Sequence, residues 1–226
     1  MLKNLVFVSR LNKFKLQRKM SWKDQIPEDI QELYEVYDYK HAAAILRTDL
    51  GEAFADICKA LRDFRFTEED VKAPGGNESK IPKRLSNILR PLGWNEKQLN
   101  ARVIVDDKEI RHDSHKVDYL KGRVAFDLEW NSKDQTFDRD LYAFRAFFEY
   151  DKISMGVLVT RSNELDLWFD SLGTYIDQNG KERTYKSKYG ASTTHMGKLL
   201  PRLEAGRSGG CPVLVFGITT RLLIDE

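Results

Sequence analysis

The amino-acid sequence predicts an α/β fold with a parallel β–α–β unit at its centre, on three observations. Residues 124–130 alternate, with Val124, Phe126, Leu128 and Trp130 forming an apolar row and Ala125, Asp127 and Glu129 pointing the other way. Residues 137–150 then carry Leu141, Phe144, Phe147 and Phe148 at helical spacing. Residues 153–160 are a mostly apolar run of strand length, the pattern of a strand covered on both faces. Strand, helix, strand in this order makes both strands neighbours inside one sheet.

Size and composition allow this. The chain has 226 residues, 41% of them apolar and 11% aromatic, enough to bury a proper core. No apolar run approaches the length that spans a bilayer; the longest, such as residues 211–218, are strand-sized. Cys58 and Cys211 lie far apart and are read as buried free thiols of a reducing cytoplasm. Six cations and no acid fall in residues 1–19, so the net charge of +2 becomes −4 for the remainder. Bulk charge therefore argues for no nucleic-acid partner; only local placement can. Residues 1–19 read as a poorly ordered basic extension, with Met20-Ser21 as an alternative start. Residues 20–226 read as a single domain.

Taken in order, Pro27-Glu28-Asp29 followed by Ile30, Leu33, Tyr34 and Tyr37 predicts a helix with acids in its first turn. Thr48 is the expected N-cap of a second, with Leu50, Phe54, Ile57, Cys58, Leu61 and Phe64 inward. Glu52 on that helix is either solvated or a helper acid for a metal site. Residues 72–80 form a polar loop without the glycine spacing or the lysine–hydroxyl pair of a phosphate loop. Pro82 is the expected start of a helix ending at Gly93. Lys80, Lys83 and Arg84 make its start the most cationic stretch of the interior, either solvated or in contact with phosphate. Residues 101–106 predict a strand. His112 and His115 beyond it lack the further partners a zinc site needs. Asn179-Gly180 between short polar-aromatic runs predicts a surface hairpin inserted near residues 174–186. A helix over 195–205 containing Pro201, a glycine-rich turn and a buried strand over 211–218 complete the chain.

The strand at 124–130 carries the chemistry. Asp127 and Glu129 lie about 7 Å apart on one face. Asp118 is close enough in sequence for a turn to return it to the same place. Three converging acids suit a hard divalent cation, and Mg²⁺ in particular takes one or two carboxylates, waters and a phosphate oxygen. Metal-dependent phosphodiester hydrolysis is the chemistry this suggests. The bland alternative is two acids decorating an edge strand. The β–α–β context speaks against it, because adjacent acids on an internal strand repel and need a counter-charge.

The segment VDYLKGRVAFDLEWNSK, followed by a helix and the ISMGVLV strand, resembles type II restriction endonucleases of the BglII/BstYI group and, more distantly, BamHI. These belong to the PD-(D/E)XK superfamily. The resemblance extends weakly over residues 38–220, including the GNESK loop and the glycine-containing tail. It implies a restriction-endonuclease-like α/β fold, a central mixed β-sheet flanked by helices. The superfamily's usual lysine is replaced by Glu129, and Asp127 stands where close relatives have glutamate.

By that resemblance Asp118 and Asp127 would ligate Mg²⁺, with Mn²⁺ as a substitute. The Leu128 carbonyl would be a further ligand, and Glu129 would orient or deprotonate the attacking water. Asn131, Ser132 and Lys133 would meet base edges in the major groove, with Ser192 and Thr193 in a second reading loop. Lys80, Lys83 and Arg84 would contact phosphate. The implied protein is a homodimer that cuts palindromic double-stranded DNA to 5′-phosphate ends in a bacterial or archaeal cytoplasm. Helices 137–150 and 195–205 are the candidates for the dimer contact. Two alternatives stay open at this point: a repair or junction nuclease of the same superfamily, and a DNA-binding module whose acids are structural.

Overall fold

A computed structural model of the chain describes residues 21–73, 79–100, 102–111 and 115–225. The expectations for residues 1–19, for the loop at 74–78 and for His112 lie outside the described residues. The first half contains α1 (Glu28–Leu33), β1 (Tyr34–Tyr39), α2 (Ala42–Asp49), α3 (Gly51–Asp63), α4 (Glu68–Lys72) and α5 (Lys80–Leu89). Five strands follow: β2 (Asn95–Leu99), β3 (Arg102–Val105), β4 (Lys108–Arg111), β5 (His115–Lys121) and β6 (Val124–Glu129). The second half has α6 (Thr136–Glu149), β7 (Met155–Arg161), α7 (Leu165–Ser171), β8 (Thr174–Ile176), β9 (Glu182–Thr184), α8 (Met196–Glu204) and β10 (Val213–Ile218). Among the described residues no helix is long and apolar enough to cross a membrane.

Six strands form one mixed sheet in the order β1-β10-β7-β6-β5-β2. β10, β7 and β6 run parallel, while β1, β5 and β2 are antiparallel to their neighbours. β6, α6 and β7 make the expected crossover, so β6 is internal and every residue of it is buried. Its apolar row, Val124, Phe126, Leu128 and Trp130, enters a core shared with Ile57, Leu61, Leu85 and Leu89 of α3 and α5. Ala125 faces the opposite layer, where Phe137, Leu141, Phe144 and Phe147 of α6 meet Leu199 and Leu203 of α8. α6 lies so close to β7 that a Cβ on Gly156 would run into the Phe144 ring.

Several sequence expectations need correction. The helix opening at Pro27 ends at Leu33, and Tyr34–Tyr39 is instead an edge strand paired with β10. Its Tyr, Val and Tyr side chains suit a pleated, half-buried surface better than a third helical turn. Tyr34 also donates its hydroxyl to Leu61 O at 2.9 Å, which fixes the chain as it leaves α1. Thr48 caps nothing; it lies inside α2 and donates to Ala44 O, while Leu50 precedes α3. α5 starts at Lys80 rather than Pro82, with Pro82 tolerated in its first turn. Residues 102–105 do form a strand, but in a separate β3–β4 hairpin and not in the central sheet. The hairpin near Asn179 is β8–β9, with Gly180 at φ +74° in its turn.

Candidate active site

The β5–β6 hairpin explains the nine-residue spacing of the first two acids. Lys121 pairs with Val124 across a two-residue turn whose first member, Gly122, has φ +53°. A positive φ at that position is what a type II′ turn requires, and glycine adopts it without steric cost. Leu120 then faces Ala125 and Tyr119 faces Phe126. One step further along the same register, Asp118 meets Asp127. The Asp118 amide donates to Asp127 Oδ1 at 2.6 Å, and the Leu128 amide hydrogen-bonds the Asp118 carboxylate. Glu129, two residues on, shares the face of Asp127.

That face looks onto α6, which contributes two residues the sequence reading did not single out. Asp140 is 3% exposed and takes Nε and Nη2 of Arg139 on its Oδ1 at 3.3 and 3.2 Å. Arg139 Nη2 also lies 3.7 Å from Glu129 Oε1, and its side chain is otherwise open to solvent. The Ser132 hydroxyl and the Asp140 carboxyl are both within hydrogen-bonding reach of Glu129. Asp140 does carry a sequence signal. It sits on the inward stripe of α6 beside Phe137, Leu141 and Phe144, where a helix built only for packing would place an apolar residue.

Crowding acids under protein raises their proton affinity. Burial, then the charges of Asp140 and Asp118, holds Asp127 well above the ordinary carboxylate range. Burial, then the Glu129 charge, pushes Asp140 up to about 8. Glu129 is raised by burial, with the Ser132 hydroxyl and Arg139 opposing. Asp118 is open to solvent on one side, and the protein flanking it raises it too, against Arg139 and the Leu128 amide.

These residues suit a hard divalent cation in donor type. Every candidate donor is a carboxylate, and Asp127 Oδ2 and Asp140 Oδ2 are buried without a hydrogen-bond partner. Among the described residues, however, no three acid, His or Cys side chains are gathered into a ready ligand set. Asp127 is instead turned toward the Asp118 amide through its Oδ1.

The two candidate base-reading segments come together although they are far apart in sequence. Lys133 and Thr193 form an isolated antiparallel bridge. The Thr194 amide donates to Ser132 O at 3.0 Å and the Asp134 amide to Ser192 O at 2.9 Å. Lys133 and Ser192 are exposed and Asn131 is half-buried. The Thr193 hydroxyl is already engaged, donating to Gly190 O and accepting from Arg161.

Other expected site residues lie elsewhere. Glu52 does not join the acids; it pairs with Lys121 at 2.7 Å, as Asp56 does at 2.6 Å. Lys80 and Lys83 are exposed on α5, whose apolar residues pack in the layer on the other side of the sheet from Asp127 and Glu129. Arg84 on the same helix is bound to the buried Asp70 carboxylate at 2.5 Å. His115 packs edge-on against Tyr142.

A mixed central sheet flanked by helices, with acids on two adjacent inner strands, is a restriction-endonuclease-like fold. The family model for restriction endonuclease BglII/BglIII matches residues 34–218, and the chain belongs to that family. It is a type II site-specific deoxyribonuclease acting on double-stranded DNA, in a family that generally uses a divalent metal. No curated protein matches the chain.

Proposed function

We propose that this endonuclease uses Mg²⁺, with Mn²⁺ able to replace it, and that Asp118, Asp127 and Glu129 carry the hydrolysis. The observation behind this reading is the hairpin register that sets Asp118 against Asp127, with Glu129 on the same face. Asp118, Asp127 and the Leu128 carbonyl would hold the ion. When bound, it supplies charge neutralisation at the phosphate and a lower pKa for a coordinated water. Glu129 orients the attacking water and accepts its proton, a task that favours a carboxylate whose proton affinity is raised by burial. Arg139 offers the acids a partial counter-charge from the solvent side. The products of this chemistry are 5′-phosphate and 3′-hydroxyl ends.

DNA contact is assigned to the paired segments around Asn131, Ser132 and Lys133 and around Ser192 and Thr193. Lys133 and Ser192 are exposed there and free to reach base edges. Lys80 and Lys83, exposed on α5 in the layer away from the acids, are assigned to backbone phosphate outside the cleavage centre, which positions the duplex without reading it, while Arg84 is held by Asp70. A palindromic site and a homodimer follow as one proposal, since a two-fold protein presents one active site to each strand. The outer face of α6, with Tyr142 and Arg145 exposed, together with α8 beside it, is the assigned contact. Residues 20–226 act as a single nuclease domain, with β8–β9 as a surface hairpin and residues 1–19 as an extension.

Digestion of unmethylated plasmid tests this reading. Discrete fragments in Mg²⁺ or Mn²⁺, absent in EDTA and ligatable through 5′-phosphates, are the expected result. Fragmentation that persists in EDTA would overturn it.

A further inference from the structure

Arg161 ends β7 at the centre of the sheet, and its side chain is fully buried. Its guanidinium joins two segments from different parts of the chain. Nε donates to Trp130 O at 2.9 Å and to Thr194 O at 3.1 Å, and Nη2 donates to Thr193 Oγ1 at 2.6 Å. The preceding residue, Thr160, donates its hydroxyl to Glu129 O at 2.7 Å. Two consecutive residues of β7 therefore hold two consecutive carbonyls at the end of the acid strand, and Arg161 also reaches the second loop. The stacked rings of Phe169 and Tyr189 lie 5.3 and 5.2 Å from the guanidinium carbon.

As a source of stability this arrangement is poor. The carboxylate paired with it, Asp166, is 3.8 Å from Nη1 and partly in solvent, and Nη1 has no hydrogen-bond partner. Desolvating a cation commonly costs more than such a partner returns, and apolar replacements of similar volume often give firmer cores. No apolar or single-headed side chain, though, can hold three acceptors on two segments at fixed angles.

We propose that Arg161 is the positioning residue that couples base reading to cleavage. It ties Thr193 and Thr194 of the second segment to Trp130, the residue between β6 and the first segment, so that a misfit at the bases shifts Trp130 and, next to it, Glu129. The Ser132 hydroxyl, within hydrogen-bonding reach of Glu129, brings the same segment to the same acid. The proposal rests on the reading that these segments face base edges.

Arg161→Lys and Arg161→Met in the full chain test it, with Lys133→Ala as a control for the parent reading. Each is used to digest a randomised duplex library in Mg²⁺, and the fragment ends are sequenced. Thermal melting and steady-state kinetics on the sequence chosen by wild type accompany the digest. Both Arg161 variants should melt close to wild type. Their preference for the chosen site over single mismatches should fall about 10-fold or more. Their kcat should drop about 100-fold, as expected when reacting groups are displaced by about 1 Å. Lys should retain more of both than Met, and KM should change less than kcat.

Unchanged site preference in Arg161→Lys, with Lys133→Ala shifting the consensus, would overturn the role of Arg161 alone. An unchanged consensus in Lys133→Ala would remove the reading of the loops, and this proposal with it. Loss of folded protein in both Arg161 variants would make Arg161 structural and would equally overturn the proposal.

Discussion

Asp140 shows how a single residue can change the electrostatics of the whole centre. Asp118, Asp127, Glu129 and Asp140 are coupled by burial and mutual repulsion, with Arg139 as the cation touching Glu129 and Asp140. Burial, then the Glu129 charge, pushes Asp140 up to about 8 in the fold, from 3.8 for an ordinary aspartate. The folded state therefore holds a proton that the unfolded chain releases. This favours folding fully below the lower value and is lost as pH rises through the higher one. The cation-free protein should accordingly melt at lower temperature as pH rises from about 6 to about 8, by on the order of 1 kcal/mol per pH unit. Asp140→Asn should flatten that slope, and millimolar Ca²⁺ should flatten it in wild type; melting curves across the pH range check both. A slope unchanged by Asp140→Asn would show that another group carries it. Asp127 and Glu129 stand out in the sequence because strand alternation puts neighbouring acids on one face, and Asp118 through its spacing ahead of them and the family resemblance. Asp140 does not, because helical periodicity marks its stripe as apolar and gives a single acid within it no partner nearby in sequence.

The secondary-structure elements differ in how clearly the sequence announces them. β6, α6 and β7 are long, strongly patterned and buried, so periodicity alone locates them. β1 is short and lies at the sheet edge, and its Tyr-Glu-Val-Tyr-Asp-Tyr pattern also continues the helical spacing begun at Ile30. Only pairing with β10 decides in favour of strand. Nor could the sequence show that Lys133 would pair with Thr193, since that contact depends on how α6, β7 and α7 fold back between them. The α6–β7 contact is close-packed and makes its own prediction. Gly156→Ala forces a methyl group into the Phe144 ring and should cost about 1–3 kcal/mol in urea denaturation. Combining it with Phe144→Leu should recover part of that loss. A Gly156→Ala protein as stable as wild type would show that α6 can move away from the sheet.

At the scale of the whole molecule, the acids, the paired reading segments and the outer face of α6 have distinct places. The acids lie between the sheet and α6, the segment proposed to read bases follows β6 and pairs with residues 192–194, and Tyr142 and Arg145 face outward. A two-fold pair built on that outer face should sediment at twice 26.3 kDa. Tyr142→Lys combined with Arg145→Glu should weaken the pair and turn double-strand cuts into nicks. A monomer that still makes paired cuts at wild-type rate would rule out that surface as the dimer contact. Asp127→Asn gives the most direct test of the acids themselves, because it keeps the shape of the side chain and an acceptor for the Asp118 amide. The measurement is single-turnover cleavage in Mg²⁺ beside gel-shift affinity without metal. Cleavage should fall at least about 1000-fold, a barrier increase of about 4 kcal/mol, while DNA binds as well as to wild type or tighter. Cleavage by Asp127→Asn at the wild-type rate would contradict the assignment of the acids on β5 and β6 as the catalytic centre.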